Sequence, residues 1–285
     1  MGSNKKIGLA LGGGGARGLA HIGVLKALEA ANIPIHAIAG TSMGALVGAW
    51  YALNKNTRGL EEVFSEIREK DMDSITKILW KRDGAIFKNK TITKIVEEGF
   101  GNKEFKDCTI PFAVVATDVR TGDRVVLKEG SLSEAAHASV AIPIIFPPVE
   151  SHGKLLMDGG LCDPVPADVV KSMGVDIVIA VDVTSGWVNI SENSINMLDV
   201  YNLVDKVIIA IEHQIAHESL GKADMVLRPT VSRFNWLDFP QAKEIIRLGE
   251  EETRRNLKEI YSKTGYVAPT KTIFDKFVDF LLYRE

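Results

Sequence analysis

The chain has 285 residues, 46% of them hydrophobic and 25% charged, with a formal net charge of −3. This length and apolar content are enough to bury a sizeable core as one large domain, with or without appendages. The nearly balanced charge gives no electrostatic basis for a nucleic-acid partner. Two cysteines cannot build a disulfide framework, so we expect a protein of a reducing compartment.

The first predicted elements are a strand, a glycine-rich loop and a helix. An apolar run at 7–11 is followed by Gly-Gly-Gly-Gly-Ala-Arg-Gly at 12–18, after which apolar residues recur at helical spacing. The loop also fits a dinucleotide fingerprint, but no acidic residue follows at the distance needed to bind a ribose. We therefore favour an oxyanion hole formed by the amides of Gly13, Gly14 and Gly15, with a nucleotide site and a plain tight turn as alternatives.

The next predicted strand, 35–39, runs into Gly-Thr-Ser-Met-Gly at 40–44, and an apolar helix follows. A Gly-x-Ser-x-Gly turn between a strand and a helix is typical of a nucleophile elbow, which exposes the serine hydroxyl. Gly40 and Gly44 permit the tight turn, and the N-terminus of the helix points toward the reacting carbonyl. The alternative is a turn in which Ser42 only caps the helix.

The middle of the chain continues the alternation of strands and helices. After a charged helical stretch to about residue 70, the segment 71–90 is the least regular, and a lid over the site and a plain helical connection are both open interpretations. The later predicted elements are strands at 112–116, 124–127, 155–157, 175–183 and 225–228, and helices after Pro164, at 197–220 and at 239–264. This order predicts an α/β sheet.

None of the six histidines is well placed to be the base that a serine nucleophile needs. They precede the serine, lie in predicted helices or occupy a hairpin turn. His213 and His217 share a helix face, but no third metal ligand accompanies them, so we expect no metal.

The carboxylate that is placed for chemistry is Asp158, which ends an apolar strand and is followed by Gly159 and Gly160. Taken alone, Asp-Gly is also an ordinary turn signal. Asp118, at the end of the strand predicted at 112–116, is the rival acid.

Together, the glycine loop, the serine elbow and the Asp-Gly-Gly sequence resemble the patatin-like phospholipase family. Ala-Ser-Val-Ala-Ile-Pro at 138–143 and Ala-Thr-Asp at 116–118 are similar to two further blocks of that family, so the resemblance covers about 6–182. It implies a three-layer α/β fold with a mostly parallel central sheet, an α/β-hydrolase-like architecture that uses a Ser–Asp dyad. Gly12 stands where many members have an acid, and Arg17 matches the family's basic position. Three roles are open for Arg17: it holds the loop, binds an anionic group of the substrate, or forms a structural ion pair.

The resemblance implies a serine lipid acyl hydrolase of the phospholipase A, lysophospholipase or carboxylesterase type. Ser42 is then the nucleophile and Asp158 the base, with no metal or organic cofactor. The predicted supporting residues are Arg17, Gly18, Gly40, Gly44, Gly159 and Gly160. Two alternatives stay open: a regulatory or scaffolding protein that keeps the fold, and a thioester hydrolase or acyltransferase that uses the same dyad.

We expect a catalytic domain at 1–265 and an amphipathic helical tail at 266–285. The tail's apolar stripe is suited to docking on its own domain, to self-association as a homo-oligomer, or to insertion at a lipid interface. The longest uncharged run, 37–54, is just long enough for a membrane span, but its glycines and serine favour a buried strand and helix. The expectation is a soluble cytoplasmic protein that acts on a lipid or fatty-acyl ester, with peripheral membrane contact as an option.

Overall fold

The computed structural model describes residues 4–67, 96–97, 99–143, 146–184 and 200–268, with side chains of the helix that begins at 200 described from residue 207 onward. The segment 71–90, predicted as a lid or a connection, lies outside the described residues. So do residues 269–285, which form most of the predicted tail.

An eight-stranded sheet forms the centre of the structure. Its strands are β1 (Ile7–Leu11), β2 (Ala37–Thr41), β3 (Phe112–Asp118), β4 (Asp123–Leu127), β5 (Val149–Ser151), β6 (Lys154–Asp158), β7 (Ile177–Val181) and β8 (Met225–Leu227). Neighbours follow the order β5-β6-β3-β2-β1-β7-β8, and β4 pairs with β3 off this path. The pairings from β3 to β8 along this order are parallel, whereas β4, β5 and β6 pair antiparallel.

Helices cover both faces of this sheet. They are α1 (Ala20–Ala30), α2 (Met43–Asn54), α3 (Arg58–Ser65), α4 (Leu132–Ser139), α5 (Ala167–Ser172), α6 (Val200–Leu220) and α7 (Ala242–Thr264). The helices predicted at 197–220 and 239–264 correspond to α6 and α7, the latter preceded by a short 3-10 turn.

The strands contribute side chains to two separate cores because successive residues of a strand point to opposite faces. Ile7, Leu9 and Leu11 of β1 lie in the larger core with apolar residues of α1, α2 and α7. Ala10 lies in the second core with residues of α5 and with Ala216 of α6. A sheet between two helix layers confirms the predicted three-layer α/β fold.

The second strand runs further toward the serine than its pattern predicts. The prediction was 35–39, but Gly40 and Thr41 pair in register with Val114 and Val115 of β3. The physical reason is that ladder pairing with β3 extends to the last residue before the turn, so Gly40 belongs to the strand. Consequently Ser42 follows the sheet directly.

Candidate active site

The pairing along β3 brings the predicted nucleophile and the predicted acid to one point. Thr41, at the end of β2, lies opposite Val115, and Asp158, at the end of β6, lies opposite Ala116, the next residue of β3. Because Ser42 follows β2 directly, its side chain reaches the Asp158 carboxylate although 116 positions separate them in the chain.

Ser42 occupies a strained turn between β2 and α2. Its backbone has φ 52° and ψ −122°, a conformation that residues with a side chain rarely adopt and that costs about 1–3 kcal/mol. A side chain at Gly40 would strike the Gly44 carbonyl oxygen, and one at Gly44 would strike the Leu11 carbonyl oxygen. Both predicted glycines are therefore required by close backbone contact, and the turn has the geometry of a nucleophile elbow.

Ser139, the last residue of α4, holds this elbow in place. Its hydroxyl donates to the Val115 carbonyl oxygen at 2.6 Å and accepts from the Ser42 amide at 2.8 Å. Ser139 is fully buried, so both bonds form away from water, where they are electrostatically stronger. The sequence placed Ser139 in a family-like block without indicating this role, because the contact joins residues 97 positions apart.

The Ser42 hydroxyl donates to Asp158 Oδ2 at 2.7 Å, and both residues are only 5% exposed. The second carboxylate oxygen, Oδ1, accepts from the Gly160 amide at 2.8 Å. Burial raises the pKa of Asp158 from 3.8 to about 6, while the hydrogen bonds from Gly160 and Ser42 act in the opposite direction. The carboxylate is therefore a stronger base than a solvated aspartate, yet it is still largely ionised at neutral pH.

Backbone contacts fix the position of this acid. The Asp158 amide donates to the Ala141 carbonyl oxygen at 3.0 Å, and the Asp158 carbonyl oxygen accepts from the Thr117 hydroxyl at 2.8 Å. A side chain at Gly159 would strike the Val115 carbonyl oxygen, so the chain after the acid passes close to β3.

Asp118, the alternative acid, and the two histidines His213 and His217 are not hydrogen-bonded to the Ser42 hydroxyl in the described structure. Asp118 Oδ1 accepts from the Arg120 amide at 3.2 Å, which makes Asp118 a turn residue, and the serine hydroxyl is bonded to Asp158 instead. His213 and His217 lie on α6. Within the described part of the chain, no group of three or more His, Cys, Asp or Glu side chains is arranged to hold a metal ion.

The three glycines assigned to the oxyanion hole differ in how their amides are bonded. The Gly13 amide donates to the Pro164 carbonyl oxygen at 2.9 Å, so the prediction that it faces the oxyanion is wrong. Gly14 and Gly15 adopt positive φ values of 151° and 56°, which favour glycine. Over the ranges that the structure describes, neither of their amides has a hydrogen-bond acceptor, and both residues line the same cavity as Ser42.

Arg17 and Gly18 support this loop from within the fold. Arg17 is 3% exposed, and its Nε donates to the Gly14 carbonyl oxygen at 3.4 Å, a contact that helps to hold the loop. A side chain at Gly18 would strike Met43 at the start of α2. The loop and the elbow are therefore packed directly against each other.

His21, which we did not assign to the base role, also holds the loop. Its Nε2 lies 2.7 Å from the Gly12 carbonyl oxygen, which can only accept, so Nε2 carries the proton. Burial lowers the pKa of His21 to about 4, opposed by the Gly12 carbonyl and by Asp182. A neutral histidine thus anchors the first glycine of the loop.

A small cavity lies over the Ser42 and Asp158 side chains. Its volume is about 50 Å³, and the described residues that close it on the far side are Ile208, Ile209 and Glu212 of α6 together with Trp236. Its wall is mostly apolar, and the charged side chains in it are Arg17, Asp158 and Glu212, the last of which lies next to Gly160.

Among the residues described, we find no helix whose length and apolar character would let it cross a membrane.

Comparisons with known proteins agree with this geometry. A family model described as Patatin-like phospholipase matches residues 9–171, which is more than half of the chain and includes both Ser42 and Asp158. Patatin-like phospholipase domain-containing protein 6 of Mus musculus is 31% identical over 273 residues, covering 85% of this chain and 20% of that protein. An uncharacterized NTE family protein of Mycobacterium bovis is 38% identical over 181 residues, covering 63% of this chain and 49% of that protein.

A solved structure shares the fold. VipD from Legionella pneumophila superposes with a TM-score of 0.52 at 12% identity, covering 90% of this chain and 67% of that chain. The chain spans only between 13% and 49% of the lengths of the curated relatives compared. The match of the family model over the elbow, the acid and most of the sheet shows that the chain belongs to the patatin-like phospholipase family.

Proposed function

We propose that this chain is a serine lipid acyl hydrolase that cleaves fatty-acyl esters through an acyl-Ser42 intermediate, with Asp158 as the base. The observation that carries the proposal is the 2.7 Å hydrogen bond from the Ser42 hydroxyl to the buried Asp158 carboxylate at a strained elbow. Gly14 and Gly15 line the same cavity, and among the described residues their amides have no acceptor. A nucleophile, a base and oxyanion donors are the groups that acyl transfer requires.

In the first half of the reaction, Ser42 Oγ attacks the ester carbonyl carbon while its proton passes to Asp158 Oδ2. The carbonyl oxygen becomes negatively charged and accepts hydrogen bonds from the Gly14 and Gly15 amides, close to the N-terminus of α2. When the tetrahedral intermediate collapses, the bond to the alcohol oxygen breaks. Asp158 returns the proton to that oxygen, and the alcohol leaves.

In the second half, a water molecule attacks the acyl-Ser42 carbonyl carbon and gives a proton to Asp158. Collapse breaks the bond to Ser42 Oγ, Asp158 reprotonates this oxygen, and the fatty acid is released. A single carboxylate serves both halves because it alternates between base and acid, as a group with a pKa near the working pH can do.

Two features support a lipid ester as the substrate: the family and the apolar side chains that make up most of the wall of the cavity. The choice among phospholipid, lysophospholipid and simple ester, contact with a membrane surface, and self-association through the tail all stay predictions.

The test is covalent labelling. Wild type, Ser42→Ala and a matched control, Ser172→Ala on the exposed part of α5, are incubated with a fluorophosphonate ester and weighed by intact mass spectrometry. Hydrolysis of a short-chain nitrophenyl ester and of a lysophospholipid is measured in parallel. We expect one adduct and turnover in wild type and in Ser172→Ala, and neither in Ser42→Ala.

Folded wild type that gives no adduct and no turnover would refute the hydrolase proposal and favour the regulatory alternative. Turnover that persists in Ser42→Ala would refute the assignment of the nucleophile. Turnover of an acyl thioester with no release from either oxygen ester would favour the thioesterase alternative.

A further inference from the structure

A buried carboxylate outside the dyad ties together three elements around the site. Asp163 follows the Asp-Gly-Gly segment and is 1% exposed. Its Oδ2 accepts from the Arg124 guanidinium of β4 at 2.7 Å, and its Oδ1 accepts from the Ser219 hydroxyl of α6 at 3.2 Å. Arg124 is shared with Asp168, a half-buried residue of α5, through two bonds of 2.8 Å.

The backbone of residues 163 and 164 bonds to two reactive segments, namely strand β2, which leads to the nucleophile, and the glycine loop. The Asp163 carbonyl oxygen accepts from the hydroxyl of Thr41 at 2.8 Å, and Thr41 is the residue directly before Ser42. The next carbonyl oxygen, that of Pro164, accepts from the Gly13 amide at 2.9 Å. Two successive carbonyls thus hold the nucleophile strand on one side and the glycine loop on the other.

The position of these carbonyls depends on the Asp163 side chain. A buried carboxylate is stable only if its charge is paired, and here Arg124 provides the pairing and Ser219 a second donor. The ion pair therefore fixes the orientation of residue 163, and the carbonyls of residues 163 and 164 follow from it. Among the described contacts, none joins the Asp163 side chain to the side chains of Ser42 and Asp158. Any effect of Asp163 on the dyad is therefore indirect.

We propose that Asp163 is a positioning residue that sets the distance between Ser42 and the oxyanion donors Gly14 and Gly15. This inference rests on the proposed acyl-hydrolase function and deepens it. Misplacement of reacting groups by about 1 Å costs on the order of 100-fold in rate. Loss of the Asp163 charge should therefore slow acylation of Ser42 without removing any group that touches the substrate.

The experiment compares Asp163→Asn with Asp168→Asn, because both carboxylates bond to Arg124 but only Asp163 contacts the reactive segments. We expect Asp163→Asn to lower kcat for a nitrophenyl ester about 10- to 100-fold with KM changed little. The rate constant for fluorophosphonate inactivation should fall by the same factor, since that reaction also uses Ser42 and the oxyanion donors. Asp168→Asn should stay within about twofold of wild type on both readouts, because the described hydrogen bonds of the Asp168 side chain go to Arg124 and not to the elbow or the glycine loop.

Thr41→Val provides a second test that leaves the buried ion pair intact and applies if Asp163→Asn does not fold. It removes only the hydroxyl that bonds to the Asp163 carbonyl, and we expect a fall in kcat of about tenfold. The fall in kcat of the double variant, Thr41→Val with Asp163→Asn, should be smaller than the product of the falls in the two single variants, because both changes weaken the same contact.

If folded Asp163→Asn turns over substrate and is inactivated at wild-type rates, the positioning role is overturned and the hydrolase proposal still stands. The same follows if Asp163→Asn and Asp168→Asn lose equal amounts of activity. If Asp163→Asn does not fold, a wild-type rate in Thr41→Val overturns it. If wild type itself neither labels nor hydrolyses, the proposed function fails, and the positioning role fails with it.

Discussion

Replacing Asp158 by Asn should make the protein more stable at alkaline pH while abolishing turnover. Burial raises the pKa of Asp158 from 3.8 to about 6, which means that the folded state disfavours the charged carboxylate. A group whose folded pKa exceeds its unfolded pKa contributes stability below pH 3.8, and this contribution is lost as the pH rises through about 6. Asn has the same shape as the neutral acid and does not ionise, so Asp158→Asn avoids the loss.

The magnitude follows from the two pKa values. Their difference of about 2 pH units corresponds to about 3 kcal/mol of unfolding free energy at pH 8, at 1.36 kcal/mol per unit. Roughly half of this loss has already developed at pH 5, because the unfolded carboxylate is ionised there. The difference in unfolding free energy between Asp158→Asn and wild type should therefore widen by roughly 1 kcal/mol from pH 5 to pH 8.

Urea unfolding at pH 5, 6, 7 and 8 measures this difference, and subtraction cancels the ionisable groups that the two proteins share. Ser42→Ala is the matched control, since we expect it to be equally inactive although it keeps the carboxylate. Because it also removes the Ser42 hydrogen bond that lowers the pKa of Asp158, its stability should depend on pH at least as strongly as that of wild type. A constant difference between Asp158→Asn and wild type across this range, or a less stable variant at pH 8, would refute the raised pKa of Asp158. It would also remove the physical reason for treating this carboxylate as the base.

Three further predictions concern the dyad, the elbow and the glycine loop. Because Asp158 has to be ionised to accept the Ser42 proton, kcat/KM for a nitrophenyl ester should fall about tenfold per pH unit below about pH 6, and a flat profile from pH 4.5 to 8 would contradict this. Ser139→Ala leaves the buried Ser42 amide without its acceptor, so urea unfolding should show a loss of about 1–3 kcal/mol, larger than in Ser133→Ala of the same helix, together with a lower kcat. Gly15→Ala forces a side chain into a backbone with φ 56° and against a neighbouring backbone segment, so fluorophosphonate inactivation should slow at least about tenfold; an unchanged rate would argue against this loop as the oxyanion hole.

The elements of the fold were predictable because their signals are local. Apart from the three-residue strand β5, which was not predicted, apolar runs and helical spacing located the strands to within a few residues, and the alternation of strands and helices predicted a layered α/β sheet. The end of β2 was missed by two residues because ladder pairing with β3, and not the local pattern, decides where that strand stops. Segment 71–90 and the tail beyond residue 268 stay at the level of the sequence prediction.

By itself, the sequence determined which residues are candidates for the chemistry. Ser42 and the glycine loop stand in turns whose residue types are dictated by local backbone geometry, and Asp158 was singled out by its place after a strand and by the family resemblance. The tertiary structure decided how these residues are held and used. It directs the Gly13 amide to Pro164 and away from the site, and it gives supporting roles to Ser139 and His21. The physical reason is that hydrogen bonding and burial depend on partners far away in the chain, which no local pattern encodes.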